Sequence, residues 1–250
     1  MSRRWPLALV LVLACCGSDG SVATVHSCLR LGVPAYVGPA DLERLGTEPA
    51  VRYLVLNPSN GPDVERDDGL ADAVAEVQLA GPRVLGYVHT SYGARPIGEV
   101  VAEIDRYRRW YGVDGIFVDE VTDTAVALPY FRLLSEFIRQ RSGDVVALNP
   151  GVYPDPAYYP LADVLVTFED SWARYRLPHP RVDTSPAEQW HLVLSADEPA
   201  MRRAVRLAHD RGATVLDVTD LGRGDETWNR LPAYLDEEAA AVNRLPRCER

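Results

Sequence analysis

The sequence predicts a single (β/α)8 barrel of the TIM type, and three observations carry the prediction. Eight short apolar runs recur along the chain, most of them followed by a helical pattern, and such alternation means a parallel sheet packed under helices. Eight units in roughly 220 residues match the count and length of this barrel. Cys28 and Cys248 stand near the two ends, and a disulfide between them would hold the termini side by side, as in a sheet that closes on itself. No phosphate-cradling glycine motif follows the first run, which argues against the open doubly wound sheet that is the main alternative. No linker divides the repeat.

The chain's 250 residues, 47% hydrophobic and 25% charged, are ordinary globular material. With 36 acidic against 26 basic residues the formal charge is −10, which disfavours a grip on phosphate backbones, so no nucleic-acid partner is expected. Arg3 and Arg4, the apolar stretch from Leu7 to Ala14 and the small residues after it read as an export signal over 1–15. Val12-Leu13-Ala14-Cys15 resembles a bacterial lipobox, which would make Cys15 a lipidated first residue and a membrane anchor; cleavage with simple secretion is the alternative. Either way the expected location is extracellular or cell-surface. Residues 16–30 form a short tether and 31–250 the barrel. In the loop-entropy model a Cys28–Cys248 closure contributes about 4–5 kcal/mol. A metal site on these cysteines is a weak rival without a histidine pair at ligand spacing.

Taken in order, Val33 to Pro39 predicts a first strand closed by a Gly-Pro turn, and residues 41–50 a helical turn or two. Tyr53 to Asn57 is a second strand, stopped by Pro58. Apolar residues at 70, 73, 74, 77 and 80 predict an amphipathic helix over 68–80. A third strand over 83–89 precedes a helix over 96–111 with Pro near its start. Gly115 to Asp119 is the fourth strand, apolar throughout as strands buried on both faces are, and it stops on two adjacent carboxylates, Asp119 and Glu120. A helix over about 127–141 follows. Strands over 145–149, 163–169, 190–195 and 214–218, with helices over 198–211 and 231–244, complete the repeat.

Side chains alternate along a strand, so residues two apart share a face. Reading back from each strand end puts Asn57, His89, Asp119, Asn149, Glu169 and Asp217 inward, above Val55, Tyr87, Phe117, Ala147, Thr167 and Val215. Neighbours such as Leu54, Val88, Val118, Val164, Val166, Phe168 and Leu216 would pack outward on helices. Barrels bind ligands beyond the C-terminal ends of their strands, so six polar groups converge on one mouth. Glu120 begins the loop and faces in only if that loop turns inward. Alone, an Asp-Glu pair reads as a helix cap or loop start, and Asn57 and Asn149, each followed by Pro, read as turn formers. A second carboxylate, Glu169, two strands on in the same ring reverses that reading.

Two carboxyl groups across a mouth suit glycoside hydrolysis, in which one protonates the leaving oxygen and the other acts as nucleophile or activates water. Asp119 or Glu120 with Glu169 can fill these roles, and the sequence leaves open which is the acid. Tyr36, Tyr87, Tyr92, Trp172 and Trp228 lie at or beyond strand ends, where sugar faces stack, although burial explains any one aromatic as well. His89 reads as a hydrogen-bonding group for substrate or as a structural histidine.

Asn57-Pro58-Ser59-Asn60-Gly61-Pro62, Gly86 to Arg95, Glu103 to Tyr107 with Trp110-Tyr111, Gly115 to Glu120, Asn149-Pro150-Gly151 and Phe168-Glu169 together resemble the spherulin-4 family, in the same order over residues 33–220. The resemblance implies a secreted (β/α)8 glycoside hydrolase with endo-acting cleavage of α-1,4-linked N-acetylgalactosamine or galactosamine stretches, and neither metal nor organic cofactor. The family's Asp-Glu pair falls on Asp119 and Glu120, and its second carboxylate on Glu169. Tyr36, Asn57, Tyr87, His89, Tyr92, Asn149, Trp172 and Asp217 are the expected substrate contacts. Gly38 departs from the family, whose first strand usually carries a second Tyr there. The expected partner is therefore a polysaccharide, and a monomer is expected. Two other classes remain in view: a surface carbohydrate-binding protein that keeps the barrel without cleaving, and a metal-dependent deacetylase using His89 with Asp119 or Asp217, for which five histidines without a close pair are a poor ligand set.

Overall fold

Strand follows strand around a closed ring. The computed structural model describes residues 29–178, 187–224 and 226–245; the export signal, Cys15 and the Cys28–Cys248 pair lie outside the described residues. Strands β1 (Arg30–Ala35), β2 (Val51–Leu56), β3 (Arg83–His89), β4 (Gly115–Asp119), β5 (Val145–Leu148), β6 (Val164–Ser171), β7 (Glu188–Leu194) and β8 (Val215–Val218) pair in that order, all parallel, and β8 closes on β1. That closing ladder is short, with Arg30 opposite Val215 and Leu31 opposite Leu216. The (β/α)8 barrel read from the sequence is the observed fold. No helix among the described residues is long and apolar enough to cross a membrane.

Helices α1 (Pro39–Gly46), α2 (Asp68–Ala80), α3 (Ile97–Trp110), α4 (Leu128–Arg139), α5 (Trp172–Tyr175), α6 (Glu198–Asp210) and α7 (Leu235–Asn243) cover the outside. Local chemistry starts several of them: the Asp67 and Asp197 carboxylates accept from the Leu70 and Ala200 N–H groups at the head of α2 and α6. The first strand lies earlier than the 33–39 expected, because Pro39, with its φ preset and no N–H to lose, opens α1 rather than closing β1. Among the described residues the outer layer thins between β5 and β7. A 3-10 segment (Pro156–Leu161) replaces the helix after β5, and α5 is four residues long.

Inside the barrel Tyr53, Val55, Leu85, Tyr87, Phe117, Ala147, Val166, Trp190, Leu192 and Val215 form a packed plug. Trp190 is fully buried and meets Phe117 edge-on at 5.4 Å. A Cβ on Gly32 would lie 2.6 Å from the Trp190 ring, so β1 needs glycine where it passes that side chain. Strand β6 corrects the expected alternation. Its register slips between Val166, opposite Trp190, and Phe168, opposite His191, leaving Thr167 as the extra residue of a bulge. Val164 and Val166 therefore point into the barrel rather than out, Phe168 packs outside on Tyr175, and the bulge returns Glu169 to the inward face.

Candidate active site

The end of β4 delivers Asp119 two residues above Phe117, and so into the mouth. The Tyr87 hydroxyl, from β3, donates to Asp119 Oδ2 at 2.8 Å. Asn149, just beyond β5, donates from one amide nitrogen to two carboxylates: Asp119 Oδ1 at 2.8 Å and Glu169 Oε2 at 2.7 Å. Its own oxygen accepts from the Gly151 N–H at 2.9 Å, which fixes which end of the amide faces the acids. Because both bonds share a nitrogen, the two carboxylate oxygens lie no more than about 5.5 Å apart, the sum of the two contacts.

Burial raises the pKa of both carboxyls. For Asp119 the Glu120 charge adds to desolvation, while the Glu120 N–H, the Tyr87 hydroxyl and Asn149 pull the other way. For Glu169 the next cause after burial is the Asp119 charge, offset by Asn149 and Arg223. Two close carboxyls shielded from solvent each hold a proton more tightly than either would alone in water. Tyr87 is pushed far above the ordinary tyrosine range by burial and by Asp119, so its hydroxyl stays a donor.

Glu120 occupies a different position. Its φ of +56° is left-handed, a conformation that side chains of its type rarely adopt, and it turns the residue toward β3 rather than along the strand. There its Oε2 accepts from the Ser91 N–H at 2.8 Å and stands 3.4 Å from His89 Nδ1. Ser91 and Tyr92 are left-handed as well, and the Thr90 hydroxyl lies 3.0 and 2.9 Å from the Asp119 and Glu120 carbonyls. This strained, cross-linked rim holds Glu120 above the pair formed by Asp119 and Glu169.

Comparison with known proteins gives the family. The family model described as spherulation-specific family 4 matches residues 33–242. The chain belongs to the spherulin-4 family. It is 31% identical over 241 residues to Spherulin-4 of Physarum polycephalum, spanning 89% of this chain and 73% of that protein. A crystal structure of Aspergillus clavatus Sph3 in complex with GalNAc matches with a TM-score of 0.75 and 25% identity, covering 87% of this chain and 98% of the other. A GH18 chitinase from Pseudoalteromonas aurantia, at 10% identity and a TM-score of 0.52 over 77% of this chain and 93% of its own, shares the fold.

In this spherulin-4 chain the other expected contacts divide. Tyr36 stands edge-on to Tyr87 at 5.7 Å, with its hydroxyl near Asn57, Asp119 and Glu169, and burial raises its pKa well above the ordinary value. Asn57 also accepts from the Gly61 N–H, which orders the loop after β2. Tyr92 is 63% exposed on the rim. Trp172 does not join the mouth: it opens α5 on the flank, with the Arg203 guanidinium of α6 over its ring at 5.4 Å. Asp217 is inward in register with Leu192 but 2% exposed, so it does not open on the mouth. Its charge raises the pKa of Glu238 on α7 and of Tyr234, and burial pushes its own pKa up to about 8. Sequence reasoning missed Arg223, which reaches Glu169 from the loop after β8. A cavity of about 420 Å³ adjoins Glu169 between Gly151, Tyr153 and Asp170. A larger one, about 560 Å³, lies at the other end of the barrel among Arg30, Arg52 and Arg83, away from the carboxylates. We place the chemistry by the carboxylates, not by volume.

Proposed function

We propose that this chain is an exported glycoside hydrolase that cuts within an α-1,4-linked N-acetylgalactosamine or galactosamine polysaccharide, with Asp119 and Glu169 as the reacting pair. The observation that carries the reading is the Asn149 amide bonded to both carboxylates at once. Carboxyl groups about 5–5.5 Å apart belong to retaining glycosidases and about 6.5–9.5 Å apart to inverting ones, and a donor shared between the two acids favours the closer, retaining arrangement. Asp119 accepts a donor on each oxygen, which favours its ionised form and suits the nucleophile. Glu169 accepts one hydrogen bond to its carboxylate within bonding distance, leaving Oε1 to carry the proton.

Glu169 would protonate the leaving glycosidic oxygen while Asp119 attacks the anomeric carbon; the C–O bond breaks and an ester to Asp119 forms. Water, deprotonated by Glu169, then cleaves that ester and restores both groups. Glu120 and His89, fixed at the rim, would hydrogen-bond sugar substituents, with Tyr36 and Tyr92 beside them.

Family membership and likeness to a protein in complex with GalNAc support an amino-sugar substrate. The leader over 1–15 supports action outside the cytoplasm, with Cys15 as a lipid anchor. The mature protein incubated with galactosaminogalactan should release oligosaccharides, and with chitin none. Binding of the polymer without any release would replace this reading by a non-cleaving carbohydrate-binding protein.

A further inference from the structure

Between β8 and α7, residues 219–224 and 226–234 form an arch that reaches Glu169 at the mouth. Thr227, 5% exposed, organises its Gly222-Arg223-Gly224 turn: the Thr227 hydroxyl accepts from the Gly224 N–H at 2.8 Å and lies 2.8 and 2.6 Å from the Gly222 and Gly224 carbonyls. At the foot of the arch the Leu221 carbonyl accepts from the Ser195 N–H at 2.8 Å, and Arg230 pairs with Asp220 at 2.8 Å. The turn carries Arg223 past β7 to the end of β6. Its Nη2 donates to the Glu169 carbonyl at 2.6 Å, and its Nη1 stands 3.6 Å from Glu169 Oε1. Its side chain is 65% exposed, and among the described residues the guanidinium pairs with no other group.

We propose that Arg223 is a positioning residue for the hydrolysis: as the counter-ion of Glu169 it sets the pH range over which that carboxyl works. The proposal rests on the reading of Asp119 and Glu169 as the reacting pair. Glu169 is faced by Asp119 from β4, by Asp170 beside it on β6, by the Tyr36 hydroxyl after β1, by the neutral Asn149 amide and by Arg223, while Asp123, Tyr153, Arg174 and His191 line the cavity beside it. Among the described residues Arg223 is the cation that pairs with the Glu169 carboxylate. Burial and Asp119 push Glu169 toward its protonated form, and Arg223 opposes them. Removing the cation therefore lets Glu169 keep its proton to higher pH. The double contact matters too: gripping the backbone carbonyl and the carboxylate together ties the side chain to the strand end, just past the bulge that aims it.

The test compares R223Q and R223K with wild type in pH profiles of kcat/KM, together with melting temperatures. In R223Q the limb governed by Glu169 should move up by about half to one pH unit, the shift from a neighbouring charge discounted for solvent exposure. R223K should restore the wild-type profile. With Glu169 as proton donor the moving limb is the alkaline one, so R223Q works at higher pH than wild type. Movement of the acid limb instead would keep Arg223 as counter-ion and overturn the donor role of Glu169. An unmoved profile in R223Q, or an activity loss tracking a lower melting temperature that R223K does not restore, overturns the proposal. If wild type cleaves no amino-sugar polymer, the functional reading fails separately; the Glu169 carboxyl is then titrated by 13C NMR in wild type and R223Q, and identical midpoints overturn the coupling itself.

Discussion

Replacing Asn149 by alanine tests the feature that joins the two carboxylates. The change removes one nitrogen that donates to Asp119 and Glu169 and leaves the rest of each side chain in place. Hydrogen bonds to charged groups contribute about 1.5–3 kcal/mol each, and Asn149 is 6% exposed, so a water entering the small space would replace them only in part. Losing one bond's worth in the transition state, about 3 kcal/mol, lowers kcat/KM roughly 10²-fold. Without the donor both carboxyls hold protons more tightly, so the whole pH profile should also shift upward. Stability should change little, because the buried acids can take up a proton rather than unfold the barrel. The assay is reducing-end release from a soluble amino-sugar polymer across pH, with thermal melts alongside. A variant within about three-fold of wild type with an unshifted profile would refute the bridging role.

Three further outcomes follow from the same geometry. NMR of the first-formed product should show the anomeric configuration of the substrate, since the shared Asn149 donor draws the two carboxyl groups together as retaining chemistry requires; inversion would contradict the assignment. Glu120→Gln should weaken activity less than loss of Asp119 or Glu169, because Glu120 sits on the rim with Ser91 and His89; an equal loss would place it in the chemistry. Asp217→Asn concerns stability. The native Asp217 carboxyl is raised to about 8, so it keeps its proton on folding, and the stability it contributes is full below about pH 4 and lost as pH rises through 8. The amide should therefore flatten the pH dependence of melting and raise the melting temperature near pH 8, by an amount on the order of a few kcal/mol in stability. Unchanged slopes for wild type and variant would contradict this.

The strand ends were legible because two simple periods meet there. An apolar run that stops on Asp119, and polar residues at matching heights on the neighbouring strands, place Asp119, Asn149 and Glu169 in one ring from the sequence alone. Strict alternation puts Glu169 on the inward face it occupies but Val164 and Val166 on the wrong one. Counting back from the strand end gave Glu169 correctly, and the bulge at Thr167 that flips the lower half has no sequence period of its own. Trp172 misled because an aromatic just past a strand also begins a helix, and the helical turn swings it onto Arg203 at the flank. Asp217 follows the strand rule, yet it is buried, and the carboxyl its charge acts on, Glu238, comes from the last helix, which packs on β1. Arg223 stayed hidden for a related reason: glycines on both sides mark a turn, but nothing local says that it reaches across β7 to Glu169. Glu120's turn toward His89 depends on a left-handed backbone that sequence does not announce.

The most direct test of the central claim is the size distribution of galactosaminogalactan after incubation with wild type, Asp119→Asn and Glu169→Gln, each shown to melt normally. Wild type should convert the polymer to short oligosaccharides, and each variant should leave it intact over the same period, a loss of at least about 10³-fold. Polymer breakdown by either variant within about ten-fold of wild type would contradict the assignment of Asp119 and Glu169 as the reacting pair.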